Sequence, residues 1–339
     1  MKKIRIGKYQ VENFSPPFII AEIGANHNGS MNLAIKLIDK ACECGCHSVK
    51  FQSWSKESLF SNIVYKNNKK LENDIDSNSL QLSDLAKLKK YCDKKGIIFS
   101  TSVFSKKEVD FFAELKIEYL KIASMDINNY GFLEYVAKKS LPTILSTGLA
   151  DMEEIHRAVG CITKYNKKLI LLHCVSLYPP RDEQIHLNNI DLLRENFNYP
   201  VGFSDHSQGI TIALASIVKG VSVIEKHFTL DKHMAGWDHA ISLDSKEMHI
   251  LVRESMRVPN ALGNVIRILG RDDLKKRVGF RRSLVSSRFL KRGDRIKEED
   301  LEFKRPGYGL PPETMGRVVG RKIKRNIPKD EIIKVNDFE

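Results

Sequence analysis

The chain has 339 residues, of which 42% are hydrophobic and 29% charged, the composition of a globular protein. Its apolar runs fall short of the roughly 18–20 residues that a membrane helix requires, and the first residues lack the apolar run of a secretion signal. We therefore expect a cytoplasmic protein without a membrane partner, in which the six cysteines are free thiols rather than disulfides.

The net charge of +13 is concentrated near the C-terminus, where residues 271–339 hold 20 Lys and Arg against 12 Asp and Glu. A basic chain can bind nucleic acid, but no helix-turn-helix, zinc-finger or RNA-binding motif accompanies the charge. A cationic field that attracts a small anionic substrate accounts for it equally well. We expect no nucleic-acid partner.

In chain order, a short alternating segment at residues 4–11 predicts an N-terminal hairpin. Apolar strand-like runs then alternate with stretches of helical period over about 240 residues, which is the pattern of a (β/α)₈ (TIM) barrel. The eight predicted strands are Phe18–Ile23, Ser48–Phe51, Ile97–Ser100, Tyr119–Ala123, Thr143–Leu145, Leu169–Val175, Val201–Phe203 and Val221–Phe228.

This rhythm stops after about Gly263. We assign residues 1–262 to the barrel domain, 263–282 to a charged, partly helical linker, and 283–339 to a small β-rich C-terminal domain.

Polar residues follow every predicted strand, at the end of a barrel where catalytic groups gather. Among them, His206 and His227 end the seventh and eighth strands, so their imidazoles are expected at one rim. Two nitrogen ligands, completed by substrate and water oxygens, suit a divalent cation such as Mn²⁺ acting as a Lewis acid. Glu225 has the parity to face the same interior as His227.

Two lysines, Lys50 and Lys121, lie in apolar strand runs, where an unpaired ammonium is rare. We expect them to bind an anion, together with hydroxyl groups of Ser124, Ser146 and Ser204. The alternative is that one lysine forms a Schiff base, as in aldolases with this fold.

Carboxylates for proton transfer or sugar hydroxyls are also present near strand ends. Glu22 lies on the first strand near its end, and Asp238 lies in the loop after the eighth strand. Gln52 and Tyr178 add neutral hydrogen-bonding groups.

These residues belong to motifs that resemble those of the bacterial sialic acid (nonulosonic acid) synthases. The similarity extends from about residue 4 to the C-terminus, where the segment around Arg305 resembles an antifreeze-like domain. The motifs are Ala21–Gly29, Val49–Gln52, Tyr119–Ser124, Leu145–Gly148, Leu172–Ser176, Tyr178–Pro179, Gly202–His206, Ile224–Phe228 and Phe303–Gly309.

The resemblance implies that the chain condenses phosphoenolpyruvate with an N-acylated amino-sugar aldehyde, with addition of water and release of phosphate by C–O cleavage. It assigns His206 and His227 to a divalent metal, Mn²⁺ in preference to Mg²⁺ or Co²⁺. Arg305 would act in the partner subunit's site of a domain-swapped homodimer. Acceptor contacts would come from Glu22, Gln52, Tyr178 and Asp238, and phosphoenolpyruvate contacts from Lys50, Thr101, Lys121, Ser124, Ser146, Ser176 and Ser204.

The acceptor stays open between N-acetylmannosamine and a diacetamido-trideoxyhexose, because Trp237 replaces a proline that is usual beside a sugar contact. Two other functions remain as alternatives. One is a 3-deoxy-sugar-acid phosphate synthase that uses a phosphorylated aldose, and the other is a non-catalytic basic barrel that binds polyanions.

Overall fold

The computed structural model describes residues 2–263 and 265–339, which form two compact units divided at Gly263. In the first unit, eight parallel strands close into a barrel in the order β10-β3-β4-β5-β6-β7-β8-β9. The predicted barrel is confirmed. Its strands are β3 (Phe18–Gly24), β4 (Ser48–Gln52), β5 (Ile98–Ser102), β6 (Leu120–Ile122), β7 (Thr143–Ser146), β8 (Leu169–Cys174), β9 (Val201–Asp205) and β10 (Val223–His227).

The predicted N-terminal hairpin is also present, as β1 (Ile4–Ile6) paired antiparallel with β2 (Tyr9–Val11). Its apolar side chains pack against those at the start of the barrel strands, including Phe18, Tyr119 and Ile170. This cluster fills the amino-terminal end of the barrel interior. Polar side chains are therefore left for the carboxyl-terminal end, because inward-facing positions recur at every second residue of a strand.

Helices surround the barrel and cover the outward faces of the strands with one large apolar cluster. Several begin with side-chain caps, such as the capping boxes of Asp151 and Asp244. They are α1 (Met31–Glu43), α2 (Lys56–Leu59), α3 (Asn62–Asn67), α4 (Lys69–Asn78), α5 (Leu82–Lys95), α6 (Lys106–Glu114), α7 (Tyr130–Lys138), α8 (Met152–Thr163), α9 (Asn189–Asn196), α10 (Thr211–Val218) and α11 (Ser245–Leu262). None of the helices in residues 2–263 and 265–339 is long and apolar enough to span a membrane.

One connection departs from the simple strand–helix alternation. Three short helices, α2 to α4, precede the helix α5 that returns to the barrel after β4. They enclose a separate apolar cluster built from Ala25, Trp54, Tyr65 and Ile75. This cluster fixes Trp54 directly beyond the end of β4.

The second unit has its own small core, formed by residues such as Leu284, Ile296 and Ile327. It contains α12 (Arg271–Phe280), β11 (Ser283–Ser286), β12 (Leu301–Lys304) and α13 (Met315–Val318), with β11 and β12 antiparallel. The helix α12 lies in the segment that was predicted to be a charged, partly helical linker. The amide of Gly307 donates a 2.7 Å hydrogen bond to the carbonyl of Val278 in this helix.

Candidate active site

A cavity of about 290 Å³ opens at the carboxyl-terminal end of the barrel. Most of its lining residues face inward at the carboxyl-terminal ends of the strands or lie in the loops that follow. They are Glu22, Lys50, Gln52, Ser102, Lys121, Ala123, Ser124, Met125, Ser146, Leu149, Cys174, Ser176, Tyr178, Ser204, His206, Glu225 and His227. The structure therefore brings together the predicted lysines, serines and histidines with Glu22, Gln52 and Tyr178.

Two buried lysines stand side by side at one wall of this cavity. Lys50 Nζ lies 2.7 Å from Glu22 Oε2 and donates a 2.8 Å hydrogen bond to Ser102 Oγ. Lys121 Nζ donates a 2.6 Å hydrogen bond to Ser146 Oγ. Both ammonium groups lie 3.8 Å from the carboxylate of Glu225. The wall therefore presents two ammonium groups and several hydroxyl groups, which can donate hydrogen bonds to an anion.

Burial and mutual charge set the protonation states of these groups. Burial raises the pKa of Glu22 to about 7, despite the opposing effect of Lys50. Burial likewise lowers the pKa of Lys121, against the attraction of Glu225. For Glu225, burial would raise the pKa, but the two lysines hold it below its usual value. Glu225 is thus a fixed anion, whereas Glu22 exists in both protonation states near neutrality.

Three side chains predicted to contact an acceptor converge above Gly24, whose φ of +53° favours glycine. An ideal Cβ at Gly24 would lie 3.3 Å from Glu22 Oε1, 3.4 Å from Gln52 Nε2 and 3.5 Å from Asp238 Oδ2. Asp238 does not line the cavity itself but borders it at this point. Two carboxylates and an amide therefore share one small space, which suits a ligand with several hydroxyl or amide groups.

His206 and His227 face each other with ring centroids 5.5 Å apart, and the exposed ring of Tyr178 lies 4.1 Å from that of His206. His206 Nδ1 contacts the Val175 carbonyl at 2.8 Å, which orients this ring. His227 Nδ1 is buried and has no hydrogen-bond partner in the described residues. Asp238 Oδ2 is the nearest carboxylate oxygen, at 3.7 Å. Burial, followed by the charge of His206, lowers the pKa of His227, so this imidazole is neutral.

These features fit a divalent cation, because a neutral, buried imidazole nitrogen without a hydrogen-bond partner is available to coordinate a metal ion. In the part of the chain that the structure describes, no three His, Cys, Asp or Glu side chains are grouped to hold a metal. A cation here would need substrate or water oxygens to complete its coordination.

Thr101, which was predicted to contact phosphoenolpyruvate, does not line the cavity. It follows Phe99 by two residues, and Phe99 packs in the outer apolar cluster, so Thr101 lies on the outward face of β5. Ser102 lines the cavity instead. The predicted strand ended at Ser100, which hid this alternation.

Other lining residues were not predicted from sequence. Cys174, Met125 and Leu149 contribute sulfur and apolar surface to the cavity. Gly148 is equally important, because a Cβ there would lie 2.5 Å from Ser176 Oγ and 2.8 Å from Ser124 Oγ. Only the absence of a side chain at Gly148 keeps the space between these two hydroxyl groups open.

Arg305 belongs to the second unit. Its side chain is exposed, and the guanidinium carbon lies 4.9 Å from the ring centroid of Phe280 in α12. This contact is a cation–π arrangement of moderate strength.

Comparison with known proteins identifies the family of the chain. Residues 37–267 match the model of the NeuB family, and residues 281–339 match that of the SAF domain. The chain is 35% identical to an N,N'-diacetyllegionaminic acid synthase of Legionella pneumophila over 91% of each protein. It is 34% identical to a pseudaminic acid synthase of Campylobacter jejuni, over 97% of this chain and all of that protein.

Among solved structures, the chain resembles the N-acetylneuraminic acid (sialic acid) synthetase of Leptospira borgpetersenii, crystallised with citrate. The TM-score is 0.76 at 36% identity, over 81% of this chain and 95% of the other. On the strength of the family match and these relatives, the chain belongs to the NeuB family and ends in a SAF domain.

Proposed function

We propose that this protein is a nonulosonic acid synthase that condenses phosphoenolpyruvate with an N-acylated amino-sugar aldehyde. The acceptor is N-acetylmannosamine or a diacetamido-trideoxyhexose. The observation that carries the proposal is the juxtaposition, in one cavity, of a lysine–serine wall with a carboxylate–amide cluster and two histidines. The relatives, named as legionaminic and pseudaminic acid synthases, support the same class of reaction.

Phosphoenolpyruvate is a small anion with a phosphate and a carboxylate, and the lysine–serine wall offers it ammonium and hydroxyl donors. Lys50 and Lys121 are held by Glu22, Glu225 and Ser146, so they are oriented before the ligand arrives. A trianion bound between two preoriented ammonium groups would accept charge-assisted hydrogen bonds, which are stronger than those between neutral groups. Gly148 leaves room for the ligand between Ser124 and Ser176.

In the proposed reaction, C3 of phosphoenolpyruvate attacks the aldehyde carbon of the acceptor, and a new C–C bond forms. The aldehyde oxygen takes up a proton and becomes a hydroxyl group. Water adds at C2 and loses one proton, and the resulting C2 hydroxyl loses its proton as the bond between C2 and the phosphate ester oxygen breaks, so that C2 becomes a carbonyl and inorganic phosphate leaves. Glu22, whose pKa is about 7, has the protonation behaviour required of a group that exchanges a proton with the acceptor.

His206 and His227 are the residues that would hold a divalent cation, with Mn²⁺ preferred. When bound, such a cation supplies Lewis-acid polarisation of the acceptor carbonyl. Tyr178 covers the two rings, and Asp238 adds negative charge beside His227. Calorimetric titration of the chelator-treated protein with Mn²⁺ tests this assignment, and His206→Ala and His227→Ala should each abolish binding.

We further propose that the protein acts as a homodimer in which Arg305 of one subunit completes the site of the other. An exposed arginine in a basic unit is suited to meet a cavity that binds an anion, is lined by Glu22 and is bordered by Asp238.

The decisive experiment is phosphate release from phosphoenolpyruvate, with Mn²⁺ and a panel of sugars, combined with mass spectrometry of the product. Phosphoenolpyruvate labelled with ¹⁸O in the bridging C2–O position should yield labelled phosphate, because that bond breaks at carbon. N-acylated amino-sugars should give a nine-carbon acid. Turnover with a phosphorylated aldose alone would instead identify a 3-deoxy-sugar-acid phosphate synthase, and no turnover with any sugar would contradict an enzymatic function.

A further inference from the structure

A relay of two hydrogen bonds runs from a buried indole to a carboxylate of the active site. Trp54 Nε1 donates to Gln52 Oε1 at 2.9 Å. Gln52 Nε2 then donates to Glu22 Oε1 at 2.8 Å. Trp54 is 3% exposed and Glu22 is 2% exposed, so both ends of the relay are shielded from water. Trp54 does not line the cavity, and its only polar group is used in this relay.

The chemistry of the three groups permits only one orientation of the amide. An indole N–H is a donor and cannot accept, so it requires the oxygen end of the Gln52 side chain. The NH₂ end is then left to face Glu22. If the indole N–H were absent, rotation of the amide by half a turn would place its oxygen against the carboxylate.

We propose that Trp54 is a positioning residue that fixes the amide orientation of Gln52, so that the NH₂ group faces Glu22 and the acceptor. Without this partner, only the contact with Glu22 would orient the amide that borders the space above Gly24. With it, the acceptor meets an amide donor beside Glu22 and Asp238. Trp54 thereby acts on acceptor recognition and not on the lysine–serine wall.

The surroundings of Trp54 are built to hold the indole in place. The indole lies in the apolar cluster that the helices α2 to α4 enclose, where it packs with Ala25, Tyr65 and Ile75. Trp237 packs against it from the loop after β10, with ring centroids 5.7 Å apart and an interplanar angle of 33°. An indole confined on both sides cannot swing away from Gln52, and water has little access to the hydrogen bond.

The chain offers a direct spectroscopic test, since it contains only two tryptophans. In a ¹H–¹⁵N spectrum of the full-length protein, Trp237→Phe leaves a single indole peak, which assigns the peak of Trp54. Gln52→Leu should move that peak upfield and accelerate its exchange with solvent, while the Trp237 peak stays in place. Gln52→Glu keeps an oxygen acceptor for the indole, so the Trp54 peak should remain downfield.

A kinetic test compares Trp54→Phe, which removes the N–H but keeps an aromatic ring, with Tyr65→Phe as its control. Tyr65 lies in the same cluster, and its hydroxyl donates to the Lys56 carbonyl at 3.0 Å, away from Gln52. Trp54→Phe should raise KM for the amino-sugar by roughly three- to tenfold, the effect of one net hydrogen bond. KM for phosphoenolpyruvate should stay within about twofold in both variants.

This kinetic part rests on the proposed function, whereas the spectroscopic part does not. If Gln52→Leu leaves the Trp54 peak unmoved, the relay is wrong, whatever reaction the enzyme catalyses. If Trp54→Phe and Tyr65→Phe change all kinetic parameters alike, Trp54 is a packing residue and the proposal is overturned. If the peak shifts as expected but no sugar is turned over, the proposed function fails and the relay stands.

Discussion

Lys226 Nζ lies 2.8 Å from Asp205 Oδ2, and neither side chain is exposed. The two residues are register partners on β10 and β9, and each directly precedes one of the two histidines of the site, His227 and His206. The ion pair therefore joins the two strands at the point where they deliver the imidazoles to the cavity.

Breaking this pair should be costly, because the remaining charge would stay buried without a partner. We expect Lys226→Met to lower the free energy of unfolding of the barrel by about 3–5 kcal/mol. The double variant Asp205→Leu/Lys226→Met should recover part of that loss, since no buried charge is left. Urea denaturation followed by circular dichroism measures both. If Lys226→Met lowers the free energy of unfolding by less than about 1 kcal/mol, the ion pair does not hold the two strands together.

Glu22 should make the stability of the protein depend on pH. Its pKa is about 7 in the folded protein and 4.5 in the unfolded reference. A raised pKa means that folding favours the protonated form, so the stabilising contribution is complete below pH 4.5 and disappears as the pH rises through 7. The maximal contribution is on the order of 3 kcal/mol.

Glu22→Gln cannot ionise and serves as the comparison. In chelator and without substrate, the melting temperature of the wild type should fall relative to that of Glu22→Gln between pH 4.5 and 7. A difference between the two proteins that stays constant over this range would contradict the raised pKa.

Much of this site could be predicted from sequence because strand ends in a barrel converge by topology. Lys50, Lys121 and His227 lie in strands of the predicted barrel, and the closed parallel sheet brings them together. The face on which a residue lies was harder to predict. A strand end misplaced by two residues sufficed to select Thr101 in place of Ser102, since side chains alternate between the faces.

Other features depend on side-chain packing and leave no periodic signal. The relay from Trp54 to Glu22 requires the α2–α4 cluster to hold the indole, and nothing in the local sequence specifies that contact. Gly148 is similar, since its importance comes from Ser124 and Ser176, which approach it from other strands' loops.

Lys121 should bind phosphoenolpyruvate as a cation. Lys121→Met should raise the Kd of phosphoenolpyruvate by about 10- to 100-fold, the effect of losing a hydrogen bond to a charged group. Isothermal titration measures the Kd, and Lys87→Met, at an exposed pair with Asp84, is the matched control. Borohydride reduction with phosphoenolpyruvate present should leave no adduct on Lys50 or Lys121. A trapped adduct would place the enzyme among the imine-forming aldolases instead.

Gly148→Ala should obstruct the same ligand without unfolding the protein. Its Cβ would lie 2.5 Å from Ser176 Oγ and 2.8 Å from Ser124 Oγ, so these hydroxyl groups must move. We expect about tenfold weaker binding of phosphoenolpyruvate, in line with the usual cost of overpacking. Gly160→Ala is the control, because a Cβ at this position in α8 meets no atom within 4 Å. Equal affinities in the two variants would exclude the space beside Gly148 from the binding site.

Arg305 should act across a dimer, and complementation between two inactive variants tests this directly. Arg305→Ala retains the histidines, and His206→Ala retains the arginine, so each homodimer lacks one essential group in both sites. A mixed dimer contains one Arg305→Ala subunit and one His206→Ala subunit. If each arginine acts in the site of the other subunit, one site combines the intact His206 with the intact Arg305. Random exchange should therefore restore about a quarter of wild-type activity, because half of the dimers are mixed and each has one complete site. Subunit exchange is verified by mass spectrometry of differently tagged chains. If Arg305 serves its own subunit, the mixed dimer holds no complete site, and the mixture stays inactive despite full exchange.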